Sequence, residues 1–149
     1  WNLNLFKNAK FVVQKRELEY SVTPCEVHKL TYCHWWRLYE INFTVIDGDM
    51  QLMDGLSVIT TPGHTPGSQS VVVETEAGTF VYIADLSNLD DTWEKRIPSG
   101  VICSIPDSFD SFHKVQRIAN YVLTGHEPEV LRHSVYPNPD FPRKQTKRL

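Results

Sequence analysis

Three polar residues stand where apolar stretches of the chain end. His64 lies in T-P-G-H-T-P-G-S-Q (Thr61 to Gln69), just after L-S-V-I-T. Asp85 closes T-F-V-Y-I-A-D, and His126 follows Y-V-L-T-G. One carboxylate and two imidazoles are a donor set that suits zinc, iron or manganese. Asp85 lies 21 residues after His64, and His126 lies 41 residues after Asp85. Such distant residues meet if their strands end on the same edge of one sheet, where neighbouring strands lie about 5 Å apart.

A metal site holds its ligands to within about 0.2 Å, and the chain around His64 is built for stiffness. Pro62 and Pro66 fix φ on either side of it. Gly63 and Gly67 open backbone shapes closed to other residues, and Thr65 or Ser68 can supply supporting hydrogen bonds. Taken one at a time, these features are ordinary. A histidine in a turn is often structural, an aspartate after a strand often forms a turn, and Gly-His-Glu ahead of Pro128 can start a helix. The order of the three, each at the end of an apolar strand, is what points to a metal centre.

The elements that must position them read as follows. Strands are expected at Lys10 to Gln14, Phe43 to Ile46, Gln51 to Met53, Leu56 to Thr60, Ser70 to Thr75, Thr79 to Ala84 and Tyr121 to Thr124. K-R-E-L-E-Y after Gln14 starts a helix, and residues 21 to 40 read as helical. Asp54-Gly55 favours a tight hairpin turn. Phe109, Phe112, Val115, Ile118, Ala119 and Val122 recur at three- and four-residue spacing, one face of an amphipathic helix, with Asp107, Ser108 or Asp110 as its cap. A short last helix follows His126. This order fits an α/β sandwich with a mixed or antiparallel sheet. Residues 1 to 136 read as one domain. The tail 137 to 149, with three prolines and four basic residues, reads as a solvated end, with partner docking as the alternative.

Composition narrows the classes. A net charge of -3 gives no basic footprint for nucleic acid, and 41% hydrophobic with 22% charged residues is ordinary for a soluble domain. No apolar run approaches the roughly 18 residues of a membrane span. Cys25, Cys33 and Cys103 are an odd number, which argues against a disulfide framework and for a reducing, cytoplasmic setting. They read as structural or free thiols. Cys33-His34 has metal-binding residue types, but no Cys-x-x-Cys supports it. His28, His34, His113 and His133 read as structural or solvent-facing. Trp35, Trp36 and Trp93 fit aromatic core packing, or else a pocket or interface lining.

At the three strand ends the sequence resembles the metallo-β-lactamase-fold hydrolases. T-P-G-H-T-P-G-S-Q-S is similar to the loop of that superfamily's third histidine ligand, F-V-Y-I-A-D to the strand of its bridging aspartate, and Y-V-L-T-G-H-E to the strand of its last histidine ligand. Within the superfamily, F-K-N-A-K-F-V-V-Q-K-R-E-L-E-Y and I-D-G-D…D-G-L-S-V-I-T-T-P-G-H resemble the N-acyl homoserine lactonase branch. The resemblance implies the C-terminal portion of a four-layer αββα sandwich. It also implies that His64 binds a first metal, His126 a second, and that Asp85 bridges both. It implies two zinc ions, or iron or manganese in their place, sharing a hydroxide that attacks the carbonyl of a small lactone or similar ester.

Two departures qualify this. The superfamily's H-x-H-x-D-H motif, which supplies further ligands to both metals, is absent from these residues. The resemblance therefore implies an N-terminal complement of the same enzyme carrying the missing ligands. It also implies a 149-residue chain that is inactive alone and stable only with that complement or as a homo-oligomer. The lactonases also place a tyrosine three residues after the bridging aspartate. Here Asn88 stands there, as a candidate substrate contact, and keeps open a thioester of the acylglutathione type or a phosphodiester. A reading of another class is a metal-free binding or scaffold module.

Overall fold

A computed structural model describes residues 5–34 and 40–128 of the chain. Trp35, Trp36, His133, the short last helix and the 137–149 tail lie outside the described residues. The elements are β1 (Phe11–Gln14), α1 (Lys15–Val22), β2 (Phe43–Ile46), β3 (Met50–Met53), β4 (Leu56–Thr60), β5 (Gln69–Thr75), β6 (Gly78–Tyr82), α2 (Asp90–Glu94), α3 (Ile105–Ile118) and β7 (Tyr121–Leu123). Single 3₁₀ turns occupy Glu26–His28 and Ala84–Leu86. Among the described residues no helix is long and apolar enough to cross a membrane.

β3 to β7 form one sheet in chain order, antiparallel from β3 to β6, with β7 parallel to β6. The mixed sheet matches the sequence pattern. β1 and β2 form a separate parallel pair, and the Gln14 amide joins the two sheets by donating to Gly48 O and Gln69 Oε1.

Register sorts the five-stranded sheet into two unlike faces. Val72, Val81 and Val122 stand opposite one another, as do Ile59 and Ser70. This face packs with Trp93 of α2, with Phe112 and Val115 of α3 and with Ala119 just after it into one buried core. The Trp93 and Phe112 rings stack with centroids 5.0 Å apart. The other face carries Val58, Val71, Val73, Phe80, Tyr82 and Tyr121. Phe80 and Tyr121 stack at 4.4 Å, whereas Val73 and Tyr82 are 37% and 42% exposed. Val58, Phe80 and Tyr121 on this face are buried, so its exposure is confined to Val73 and Tyr82.

Three local expectations need correction. Residues 21–34 form a helix end, a single 3₁₀ turn and turns rather than a continuous helix, because Pro24 breaks the pattern. The long helix begins at Ile105 with Pro106 in its first turn, so its cap is Ser104, whose Oγ accepts from Asp107 N at 3.3 Å. Asp107, Ser108 and Asp110 lie inside it. The strand after Gly78 ends at Tyr82, and Asp85 sits in the next turn. On α3, Phe112 and Val115 are buried, while Phe109 and Ile118 lie at the exposed margin of the stripe; Ala119 is its C-cap and Val122 belongs to β7.

The last residue of β4 is fixed by a small polar network. Asp49 Oδ1 accepts from Thr60 N at 2.8 Å and from Lys114 Nζ at 2.7 Å, and Lys114 also donates to Thr60 O at 2.9 Å. Partial burial alone would raise the Asp49 carboxyl, but the Lys114 and Thr60 hydrogen bonds outweigh it and hold the group below the ordinary carboxylate range. A folded-state value below the unfolded one adds stability above the unfolded value, about 3.9, and that stability is lost as pH falls through the folded value. Asp49→Asn should therefore lower the denaturation midpoint at neutral pH and shrink the difference between pH 7 and acid, as read from urea melts. An unchanged acid dependence would contradict this assignment.

The loop after β4 is wedged against α3. Gly63 has φ 146°, a region other residues rarely adopt, and a Cβ there would lie 2.0 Å from Ser108 Oγ. Gly63→Ala should cost about 2–4 kcal/mol from strain and overpacking together. Gly100→Ala, where nothing lies within 4 Å, should change stability by less than about 0.5 kcal/mol. Equal denaturation midpoints for the two variants would contradict the wedge.

Candidate metal centre

β5 runs antiparallel to both β4 and β6, and β7 runs parallel to β6. β4, β6 and β7 therefore point the same way, and the segments that leave them emerge along one edge of the sheet. The His64 loop, the Asp85 turn and the His126 turn are those three segments.

His64 sits on a loop bolted at both ends. Thr61 N donates to Ser68 O at 2.9 Å and Gly63 N to Thr65 O at 3.1 Å. The segment ahead of α3 closes over it: Cys103 N donates to Gly63 O at 2.8 Å, Ser104 N to Gly63 O at 3.0 Å, and Ser111 Oγ to Pro62 O at 2.7 Å. Gly67 serves close approach rather than unusual φ, since a Cβ there would lie 2.3 Å from Glu17 N of α1. Glu17 in turn accepts hydrogen bonds from Thr65 Oγ1 and Tyr32 OH.

The supporting hydrogen bond to His64 differs from expectation. Thr65 and Ser68 bond to each other, with hydroxyls 2.8 Å apart. The His64 ring bonds to a main-chain carbonyl instead: Nδ1 lies 2.6 Å from Val101 O. A carbonyl only accepts, so Nδ1 carries the proton and Nε2 presents its lone pair. Nε2 is the atom that faces Asp85.

Asp85 is held in a strained turn. Ala84 before it has φ 45°, a left-handed conformation uncommon outside glycine. The turn aims the two carboxylate oxygens apart. Oδ1 accepts from His126 Nε2 at 2.7 Å, and Oδ2 lies 3.9 Å from His64 Nε2. His126 reaches this position because Gly125 clears the chain beneath it, where a Cβ would lie 2.7 Å from Ala84 O. Its main chain is fixed to the next loop, with His126 N donating to Asn88 O at 2.9 Å, and Thr124 Oγ1 donates to Asp90 Oδ1 at 3.1 Å.

The structure thus brings His64, Asp85 and His126 together. Both imidazoles turn Nε2 toward one carboxylate, and each carboxylate oxygen faces a different imidazole. Two imidazoles and a carboxylate are donors that fit divalent-cation chemistry. Asn88 sits beside His126 through its carbonyl, and its side-chain Oδ1 is buried without a hydrogen-bond partner.

Behind His64 lies a cluster that sequence reasoning missed. His28 is 2% exposed and its ring meets that of His64 edge-on at 4.8 Å. Its Nδ1 lies 3.6 Å from both Cys25 Sγ and Cys103 Sγ. Burial, helped by the adjacent His64, pushes the His28 imidazole below its ordinary range and keeps it neutral. The available signal was the Cys-x-x-His spacing of Cys25 and His28. Cys33 and His34 are neighbours at 3.0 Å and both are exposed.

No protein-family profile matches the chain. Its overall backbone matches the solved structure of an N-acyl homoserine lactone hydrolase with the product N-hexanoyl-L-homoserine at its catalytic metal centre. The TM-score is 0.71 at 26% identity, over 91% of this chain and 54% of that one. The chain has the metallo-β-lactamase fold, and the described residues are the C-terminal portion of its sandwich. Its sequence relatives are N-acyl homoserine lactonases. That of Bacillus thuringiensis is 32% identical over 94 residues, 62% of this chain and 36% of that protein. The lactonase AttM of Azorhizobium caulinodans is 31% identical over 136 residues, 83% of this chain and 52% of that protein. The chain thus spans about half or less of the length of the relatives it matches.

The carbonyl contact makes a direct prediction. In nitrogen-15 spectra the His64 ring should be the Nδ1-protonated tautomer. A signal pattern for the neutral Nε2–H tautomer would contradict the Nδ1 contact with Val101 O.

Proposed function

We propose that His64, Asp85 and His126 are ligands in a dinuclear metal hydrolase that opens a lactone or similar small ester. His64 serves one ion, His126 the other, and Asp85 both, with the remaining ligands supplied by a segment matching the other part of the relatives. The observation that carries this reading is the division of the Asp85 carboxylate, one oxygen toward each imidazole. The lactonase relatives support the substrate class. Zinc is the ion we favour, since the donors are imidazole and carboxylate; the same donors accept iron or manganese. When bound, such ions lower the pKa of water toward about 7 and polarise a carbonyl oxygen. The chain's own residues have fixed tasks: Val101 O holds the His64 tautomer, the Ala84 turn aims Asp85, and Asn88 O orients His126.

Asn88 favours a second reading of the same site. Its buried, unpartnered amide oxygen offers an acceptor where the lactonase branch carries a phenol. Without that phenol, a thioester of the acylglutathione type or a phosphodiester is the second substrate class for the site. Three free thiols suit a reducing compartment such as the cytoplasm.

Three ligands divided between two ions complete neither four-coordinate site, so the 149 residues by themselves should hydrolyse nothing. The full-length protein should hold close to two ions and open N-acyl homoserine lactones faster than acylglutathione thioesters or phosphodiesters. Asp85→Ala and His126→Ala should each lower kcat/KM at least about 100-fold with loss of metal. Faster turnover of a thioester would favour the second reading. Variants with full metal content and wild-type turnover would overturn the site, and a metal-free, inactive full-length protein would favour a binding or scaffold module.

A further inference from the structure

Cys25, His28 and Cys103 converge from two distant parts of the chain. Cys25 precedes the single 3₁₀ turn Glu26–His28, so its thiol and the His28 imidazole lie on one side of the same turn. Cys103 arrives from the segment ahead of α3, anchored by its N–H on Gly63 O and His64 O. The two sulfurs are 3.4 Å apart, and each is 3.6 Å from His28 Nδ1. All three donor atoms lie within 4.8 Å of one another. The Tyr20 hydroxyl of α1 caps the triangle, 2.8 Å from Cys25 Sγ, 2.8 Å from His28 Nδ1 and 2.9 Å from Cys103 Sγ.

The sulfur–sulfur and sulfur–nitrogen spacings are those of ligands around a small soft cation, while the shorter Tyr20 distances are hydrogen bonds. A tetrahedral ion with metal–sulfur distances of about 2.3 Å and metal–nitrogen distances of about 2.0 Å separates its donors by about 3.5–3.8 Å. A disulfide would instead draw the sulfurs to about 2.05 Å and break their equal approach to His28. We propose that Cys25, His28 and Cys103 form a second metal site for a thiophilic divalent cation of the zinc type, seated on the face of the triangle away from the Tyr20 hydroxyl, with its fourth position open. The site shares no ligand with the His64, Asp85 and His126 set. It differs from that set in chemistry, being sulfur-rich, and so takes soft ions in preference to manganese or magnesium. The ion would tie the Cys25 turn to the loop that carries His64, through Cys103 on the main chain and through the His28 ring against the His64 ring.

The test is cobalt substitution. Reduced, metal-stripped full-length protein is titrated with Co(II), and absorption is read in the near ultraviolet, where thiolate-to-cobalt charge transfer appears. The His64, Asp85 and His126 set has no sulfur and contributes none. The band should appear in the wild type, persist in His126→Ala and vanish in Cys103→Ser. A second measurement needs no variant. Zn(II) should slow alkylation of Cys25 and Cys103 at least about tenfold and leave Cys33 unchanged, since a metal-bound sulfur is a poor nucleophile. Absence of the band, equal alkylation of all three thiols with and without zinc, or a Cys25–Cys103 disulfide that persists under reductant would overturn the site. Because the readout is sulfur-specific, it stands or falls apart from the hydrolase reading: loss of activity in His126→Ala leaves the band in place.

Discussion

The site depends on the Asp85 carboxylate being pointed two ways at once. A free aspartate side chain rotates; this one has an oxygen on His126 at 2.7 Å and the other toward His64 at 3.9 Å. That demands three separate chain segments at fixed positions along one sheet edge. The shared direction of β4, β6 and β7 supplies the edge, with β5 reversing the chain between β4 and β6. The left-handed turn at Ala84 then sets the aim. A left-handed alanine costs of order 1 kcal/mol or more, and such a cost persists only where surrounding packing over-determines the backbone. Here that packing is Val81 and Ile83 beneath the turn and Leu86 after it, all nearly inaccessible to solvent.

The same logic explains why α3 is part of the site without contributing a ligand. Its first turn fills the space Gly63 leaves, its Ser111 hydroxyl holds Pro62, and Lys114 holds the end of β4 through Thr60 and Asp49. Its buried face, Phe112 and Val115 against Trp93 and the sheet, anchors those contacts in the core. Rigid elements thus fix the His64 loop from below, while Val101 and Cys103 fix it from the side. Preorganisation of this kind lets a ligand loop stay open to solvent and still hold its geometry.

His64, Asp85 and His126, which the structure brings together, were legible as candidates because each follows an apolar β-rich run, a local pattern read over a few residues. The Pro-Gly punctuation around His64 was legible for the same reason, although Gly67 turned out to make room for α1. What escaped was long-range. Val101 O reaches His64 across 37 residues and is a backbone atom, so no residue type announces it. Cys103 meets Cys25 across 78 residues, and a lone cysteine looks the same buried, exposed or liganding until its neighbours are known. α2 is only five residues long, too short for helical periodicity to register. The cap of α3 was misplaced because Pro106 suits a first helical turn and moves the start ahead of the acidic residues.

The most direct test of the central claim is anomalous diffraction at the zinc absorption edge from crystals of the full-length protein grown with zinc. The account predicts two peaks flanking Asp85, one within bonding distance of His64 Nε2 and one of His126 Nε2, each touching a carboxylate oxygen. A single peak on one histidine alone, or none beside Asp85, would contradict it.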